Sequence, residues 1–572
     1  MSSMLNFENS IVPILKISDA FTALAKVYCG IKQLQKIGNE EQWNILWTMY
    51  INNPNKLESG LRNYIDYEQE IYRHILNDDF NRWFYFLNLK LHIDCIKNSY
   101  LSYVVDITES VEKLKENILV GITKISRQEK NFARLYQDRK KLVKGFPESE
   151  IAVFINENKV VPDEEIYKYT DNTVLEKREI ISWIARNGWN DCIMEIYPAV
   201  GKYLKKYNFE CGSVSSAITE YFYLYKLLKV ENRITNEFMN LVFKHGEEYT
   251  YTKLPTRDSV INKIIDKNST YLYWIDALGV EYLSYIVELA HERGLAIDVD
   301  VARADLPTIT SINKGFYDNW MGNLKYKEEE LDDIKHKEKG GFFYTKDNQE
   351  PVHLVKELEI IERALDVAKT SLAMHECKKF VIASDHGASR LAVIKKDENM
   401  HPTDTQGKHS GRCCKTYEEE NKKYVIEENG YFVRCDYGRY KGSRSANVEV
   451  HGGASLEEIV VPIITLKLKK DAIIDIRVIN EKSLIADRHE GTTIELYISD
   501  IENQNSVFVL VDGVKYKAVA KDKKHYKFVA TEIKRQRECS AEVFDGNSLI
   551  GRVGLKIKGR TASVNTDFDD LF

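Results

Sequence analysis

The chain has 572 residues, room for three or four domains at ~150 residues each. Its 43% hydrophobic content is enough to build real cores, which excludes global disorder. A net charge of -6, with acids and bases interspersed, excludes a protein that coats nucleic acid along its whole surface.

Residues 1–250 are poor in proline. Their apolar residues recur at helical spacing, as in Val111, Leu114, Ile118 and Ile122, and again in Ile180, Ile181, Trp183, Ile184 and Trp189. An all-helical region is expected, divided near 145–165 by Pro147 and Pro162. The pattern changes at Leu254-Pro255. Residues 271–275 read as a buried strand ending in Asp276, 281–292 as an amphipathic helix stopped by Gly294, and 296–301 as a strand. A helical stretch follows Pro307, a polar mixed-charge segment covers 325–350, a long helix covers 352–376, and 379–384 is another strand. This alternation predicts an α/β domain over 255–468 with a parallel sheet, and it places ligands beyond the carboxyl ends of the strands. After Pro462, short strand-like runs separated by turns such as Asp512-Gly513 predict a β-sandwich over 469–560. Residues 561–572 form an acidic tail.

Nine scattered cysteines include no Cys-x-x-Cys pair, which points to reduced intracellular thiols rather than a disulfide framework. No secretory leader is read at the start, and no apolar run approaches the ~18 residues of a membrane span. A cytoplasmic protein with no membrane segment is expected.

Four segments carry residues suited to chemistry. Ser384-Asp385-His386-Gly387 leaves a strand end with a carboxylate and an imidazole side by side, both good zinc ligands at neutral pH. Its plain alternative is a turn that caps the next helix. Asp276 projects from a strand end, or else caps the helix near Glu281. Pro307-Thr308-Ile309-Thr310-Ser311 offers hydroxyls at a helix start, where backbone N–H groups favour an oxyanion. The alternative there is an ordinary Ser/Thr cap. In His451-Gly452-Gly453, two glycines let the backbone approach an ion or ligand, or simply make a turn.

In this order, Asp276, 307–310, 384–387 and 451–453 resemble the PglZ domain of the alkaline phosphatase superfamily over residues 255–470. The helical front, α/β centre and β-rich end also resemble the PglZ phosphatase-like proteins of bacteriophage-exclusion (BREX) systems, type 4 among them. The resemblance implies an alkaline-phosphatase-like core, two divalent ions (zinc, with manganese as the alternative) and a phosphodiesterase, nuclease or phosphatase. It implies that Asp276, Asp385 and His386 hold one ion and that His451 helps to hold the second. Thr310 is the implied nucleophile, with Thr308 as the alternative, in an in-line displacement through a phosphothreonine.

The second ion needs two more ligands, an Asp and a His ahead of residue 384. Asp347 and His353 are preferred, because a possible strand at 342–345 precedes them. Asp332 and His336 have the i,i+4 spacing that suits one metal, but no strand is read before them. If neither pair completes the site, the alternative is a non-catalytic scaffold. His409 and Arg412 are candidates for contacting substrate oxygens. Arg439, Lys441 and Arg444 could add a phosphodiester-binding rim, which leaves nucleic acid open as a substrate. The resemblance implies partners among the other proteins of the defence system. The tail, residues 567–572, either docks into a basic, apolar-floored pocket of a partner or is a plain disordered end.

Overall fold

The computed structural model describes residues 19–62, 71, 73, 78–158, 163–336, 350–395, 398–402, 411–415, 423–441, 448–469, 476–499, 501, 506–522, 524–546 and 548–559. Asp347, His409, Arg444 and the 567–572 tail lie outside these residues. The chain divides into two compact units, residues 1–466 and 467–572, and its architecture is a multidomain mixture of helices and sheets. Among the described residues, no helix is long and apolar enough to cross a membrane.

The first unit opens with helices, from Ala20–Val27 to Arg257–Ile261. Their starts are marked by side-chain caps. Asn39 and Gln42 form a reciprocal capping box, and Asp78, Ser99, Thr173 and Thr235 each accept a backbone N–H of the first turn. Val111, Leu114, Ile118, Ile122, Ile180, Ile181, Trp183 and Ile184 of the stripes read from the sequence are buried, whereas Trp189 lies past the helix end at Asn187 and is half-buried. One helix ends at Lys144 and the next begins at Glu148, directly after Pro147.

The strands of this unit are β1 (Thr270–Ile275), β2 (Leu295–Arg303), β3 (Lys325–Glu328) and β4 (Lys379–Ala383), followed by β5 (Glu398–Pro402), β6 (Cys413–Cys414), β7 (Val425–Glu428), β8 (Tyr431–Arg434) and β9 (Arg439–Lys441), then β10 (Val460–Leu468). The main sheet has the order β2-β10-β4-β1-β3. β1 is parallel to both β3 and β4, but β10 runs antiparallel to β4, so the sheet is mixed rather than all-parallel. A parallel return needs a long crossover, usually a helix. The described part of the connection from β4 to β10 holds only short helices, Leu391–Lys395 and Leu456–Ile459, besides its small strands. Pro462 lies just ahead of the residues that pair with β4, where its missing N–H breaks no bond of that ladder.

β3 is the strand that the sequence conceals. Lys-Tyr-Lys-Glu carries little apolar signal because it is an edge strand whose side chains are exposed or half-buried. The adjacent core is apolar: Trp274, Val381, Ala383 and Ile463 pack with Val260, Phe316 and Trp320.

The second unit contains β11 (Ile476–Val478), β12 (Thr492–Ile498), β13 (Val507–Val511), β14 (Val514–Lys517), β15 (Val519–Ala520), β16 (His525–Ala530), β17 (Arg537–Asp545) and β18 (Ser548–Ile557). They form two antiparallel sheets of four strands, β11-β12-β16-β15 and β14-β13-β17-β18. Alternate residues of both sheets, among them Ile494, Leu496, Phe528, Val507, Val509 and Val543, share one apolar cluster. Asp512 and Gly513, with φ of 49° and 80°, make the tight turn between β13 and β14.

Candidate metal centre

Asp276 directly follows β1, Asp385 and His386 follow β4, Asp332 and His336 follow β3, and Thr310 follows β2. His451 approaches the same edge of the sheet ahead of the antiparallel β10. All of them gather where ligands bind in sheets of this kind.

Asp276, Asp385 and His386 form the first group, with one potential ligand atom each within 4.8 Å of the others. Asp385 Oδ1 accepts hydrogen bonds from Trp274 Nε1–H and Ala277 N–H, both at 3.2 Å. Ala277 has a φ of 61°, a left-handed backbone uncommon outside glycine, and this turns its N–H toward Asp385. Asp276 Oδ2 lies 2.8 Å from Lys327 Nζ, which also sits 4.2 Å above the Trp274 ring. That leaves Asp276 Oδ1 and Asp385 Oδ2 buried, with no hydrogen-bond donor among the described residues. Both face His386 Nε2, at 3.8 and 3.1 Å. His386 Nδ1 donates to the Gly387 carbonyl at 3.0 Å, which in the neutral ring puts the lone pair on Nε2. Two carboxylate oxygens and an imidazole nitrogen thus converge in a buried space, where either shared protons or a cation would hold them together.

Asp332, His336 and His451 form the second group. Asp332 Oδ1 lies 3.2 Å from His336 Nε2 and 3.8 Å from His451 Nε2. His451 Nδ1 donates to the Thr308 carbonyl at 2.8 Å and so turns its Nε2 toward Asp332. The two groups adjoin, since the His386 and His451 rings stack with centroids 4.0 Å apart.

The pair beside His451 is therefore Asp332 and His336, not the preferred His353. The objection to them, a missing strand, disappears with β3. His353 is fully buried elsewhere, with Nε2 3.1 Å from Glu449 Oε1 and next to Glu357. Two ammonium groups fill the space around these carboxylates: Lys229 Nζ is 3.0 Å from Glu357, and Lys335 Nζ is 3.0 Å from Glu449. That third acidic group is a salt-bridge cluster.

The field of the two groups is uneven. Burial, with Asp385 and Asp332 nearby, pushes the Asp276 carboxyl up to about 8. Burial pulls His386 down, but Asp385, Asp276 and Asp332 outweigh it and lift the ring to about 9. For Asp332, burial is overcome by His336, His451 and His386, which hold it below the usual carboxylate range. Burial, together with His386 and His336, keeps His451 well below its usual value.

Thr310 Oγ1 lies 3.3 Å from His386 Nε2 and is partly exposed. Its helix, Thr310–Asn313, has only four residues, so the dipole expected there is small. Thr308 is fully buried and occupied: its hydroxyl donates to the Gly453 carbonyl at 2.6 Å and accepts from Gly452 N–H at 2.9 Å. Asn313, absent from the sequence reading, clamps the same turn. Its Nδ2 donates to the carbonyls of Asp305, Pro307 and Ile309. Its Oδ1 accepts from Arg257 Nη1, which also donates to the Asp385 carbonyl.

Arg412, a candidate for contacting substrate oxygens, has its donors engaged inside the fold. It is fully buried, pairs with both Glu458 oxygens at 3.0 and 2.7 Å, and donates to the carbonyls of Gly438 and Asp436. The same Glu458 carboxylate accepts from Gly453 N–H, so Arg412 braces the loop that carries His451. A Cβ on Gly387 would collide with the Glu457 carbonyl, which explains the glycine after His386.

Two family models match the chain. Both are described as domains of unknown function, DUF7863 over residues 24–187 and DUF7862 over residues 474–560. Both lie outside the residues that build the metal centre. No curated protein matches.

Proposed function

We propose that the chain is a metal-dependent phosphoester hydrolase of the PglZ type, with Thr310 as its nucleophile. One observation carries the reading: two adjoining carboxylate–histidine groups at the strand ends, with the Thr310 hydroxyl beside His386. Asp276, Asp385 and His386 would hold one divalent ion, and Asp332, His336 and His451 a second. Carboxylate and imidazole ligands without a thiolate suit zinc or manganese. Bound there, such ions would stabilise charge on a phosphoryl oxygen and on the attacking hydroxyl.

The chain's own residues support this division of labour. The cluster of Asp276, Asp385 and Asp332 is acidic, and divalent ions held there would make it receptive to an anionic substrate. Lys327 neutralises the outer oxygen of Asp276 and leaves the inner one facing His386. Asn313 and Arg257 fix the Thr310 turn against Asp385, which keeps the hydroxyl at His386 Nε2. A mixed sheet with its site at the strand ends fits an alkaline-phosphatase-like core, and two sheets around one cluster fit a β-sandwich. A role beside other proteins of a bacteriophage-exclusion system would follow from the sequence resemblance, and a cytoplasmic location from the scattered, unpaired cysteine pattern. The scaffold alternative rested on an incomplete second group, and Asp332 and His336 weigh against it.

The test strips the protein with a chelator, reloads it with zinc or manganese, and follows hydrolysis of bis-p-nitrophenyl phosphate and p-nitrophenyl phosphate. Thr310→Ala is expected to keep the metals and lose at least ~1,000-fold in kcat. If the wild-type chain neither takes up divalent ions nor hydrolyses either ester, the proposal fails.

A further inference from the structure

The helix Ser215–Val230 belongs to the helical part of the chain, yet it carries a buried polar stripe at i, i+4 and i+8. Tyr221 donates its hydroxyl proton to Glu457 Oε2 at 2.6 Å. Glu457 Oε1 in turn accepts from Ser389, so this rung ties the segment after His451 to the segment after His386. Four residues on, the Tyr225 hydroxyl meets the Ala388 carbonyl at 3.3 Å and accepts from Arg390 N–H at 3.0 Å. Both contacts lie just beyond His386-Gly387.

Four residues further, Lys229 is fully buried and reaches three carboxylates. Its Nζ contacts Glu281, five residues past Asp276, at 3.1 Å, Glu357 at 3.0 Å, and Glu449, two residues before His451, at 2.5 Å. Lys335, also fully buried, sits in the same cluster 3.0 Å from Glu449. It lies between Asp332 and His336 in sequence, and its Nζ donates to the carbonyl of Ala277, next to Asp276. The rungs therefore end within a few residues of Asp276, His386, His451 and the Asp332–His336 helix.

We infer that the buried stripe Tyr221–Tyr225–Lys229 is the positioning device of the metal centre: it holds the ligand-bearing segments in register from beneath. The inference rests on the metal-binding reading above. It goes beyond that reading by giving a helix outside the sheet domain a defined role at the site. None of the three side chains is placed to touch substrate. They act through the backbone of the segments they hold, as outer hydrogen-bond partners act on metal ligands. A buried ion network of this kind is a weak source of stability but a strong source of geometry, because any displacement strands a buried charge.

The experiment titrates chelator-stripped full-length protein with zinc alone and then manganese alone, by calorimetry, for the wild type, Tyr225→Phe and Lys229→Met. Circular dichroism and thermal melting report folding. Lys229→Met is expected to bind metal ~10–100-fold more weakly. Tyr225→Phe, which loses a single hydroxyl, is expected to bind more weakly by a few-fold. Raised metal concentration should restore the activity of both variants, leaving KM unchanged. If Lys229→Met fails to fold, Lys229→Met/Glu357→Gln removes one charge of each sign, and Tyr225→Phe decides independently. A wild type that takes up no metal defeats the metal reading itself. A wild type that binds metal beside folded variants that bind it equally well overturns the positioning role alone.

Discussion

Thr308 and Thr310 are two residues apart and chemically identical, yet their surroundings assign them opposite duties. Thr308 is sealed between Gly452 and Gly453 and spends both its donor and its acceptor there. Thr310 is partly exposed and faces His386. Replacing Thr308 by Val keeps the shape and strands a buried N–H and a buried carbonyl, at about 1–3 kcal/mol for each unsatisfied group. Thr308→Val is therefore expected to lower stability by about 2–6 kcal/mol in urea denaturation. Thr310→Val should change stability little while abolishing hydrolysis. Equal stability losses for the two variants would contradict the assignment. The family resemblance already favoured Thr310 over Thr308, and the fold adds that the Thr308 hydroxyl is occupied as a clamp whereas the Thr310 hydroxyl stays partly exposed beside His386. The same holds for Arg412: in the sequence it was a candidate for contacting substrate oxygens, whereas burial against Glu458 makes it a brace.

Among the elements, the strands and helices with strong apolar rhythm were legible. β1, β4, the helix Leu354–Ala373 and the strands of the second unit lie where alternation and periodicity placed them. β3 was not legible, because a polar edge strand has no buried face to write into the sequence. That one omission shifted the second group of ligands to His353. The helix Ser215–Val230 shows a different limit. Its apolar content marks it as a core helix, but nothing local shows that its polar side chains are buried as well.

Those charges leave a measurable trace. Burial, together with Glu449 and Glu357, lifts Glu281 from 4.5 to about 7 against the pull of Lys229. The folded chain therefore holds a proton that the unfolded chain releases above ~4.5. This contribution is complete below about 4.5 and is lost as the pH rises through about 7. At ~1.4 kcal/mol per pKa unit, it amounts to roughly 3–4 kcal/mol. Denaturation between pH 5 and 8 should show that fall for the wild type. Glu281 Oε2 accepts from the Tyr203 hydroxyl; Glu281→Gln keeps the shape and that acceptor and should flatten the fall. A slope that survives the substitution would place the proton elsewhere.

At the scale of the molecule, the match to DUF7863 ends at residue 187, whereas the stripe beneath the site begins at Tyr221. A boundary near 250, natural from composition, cuts between the candidate metal ligands and the helix beneath them. A chain beginning at residue 255 is accordingly expected to lose metal binding. One ending at residue 470, which omits the second unit, is expected to keep it, since that unit supplies none of the ligands. Calorimetry on both fragments checks this, and metal binding by the 255 fragment would refute it. The stacked rings of His386 and His451 carry one more consequence. Two ions on either side of that pair would share a wall, so neither could bind without altering the field felt by the other. Their occupancies would be linked thermodynamically, and the influence of the first ion on the second would equal that of the second on the first. The centre would then fill as one cooperative or anticooperative unit, and the cell's supply of metal would switch it between distinct states of charge.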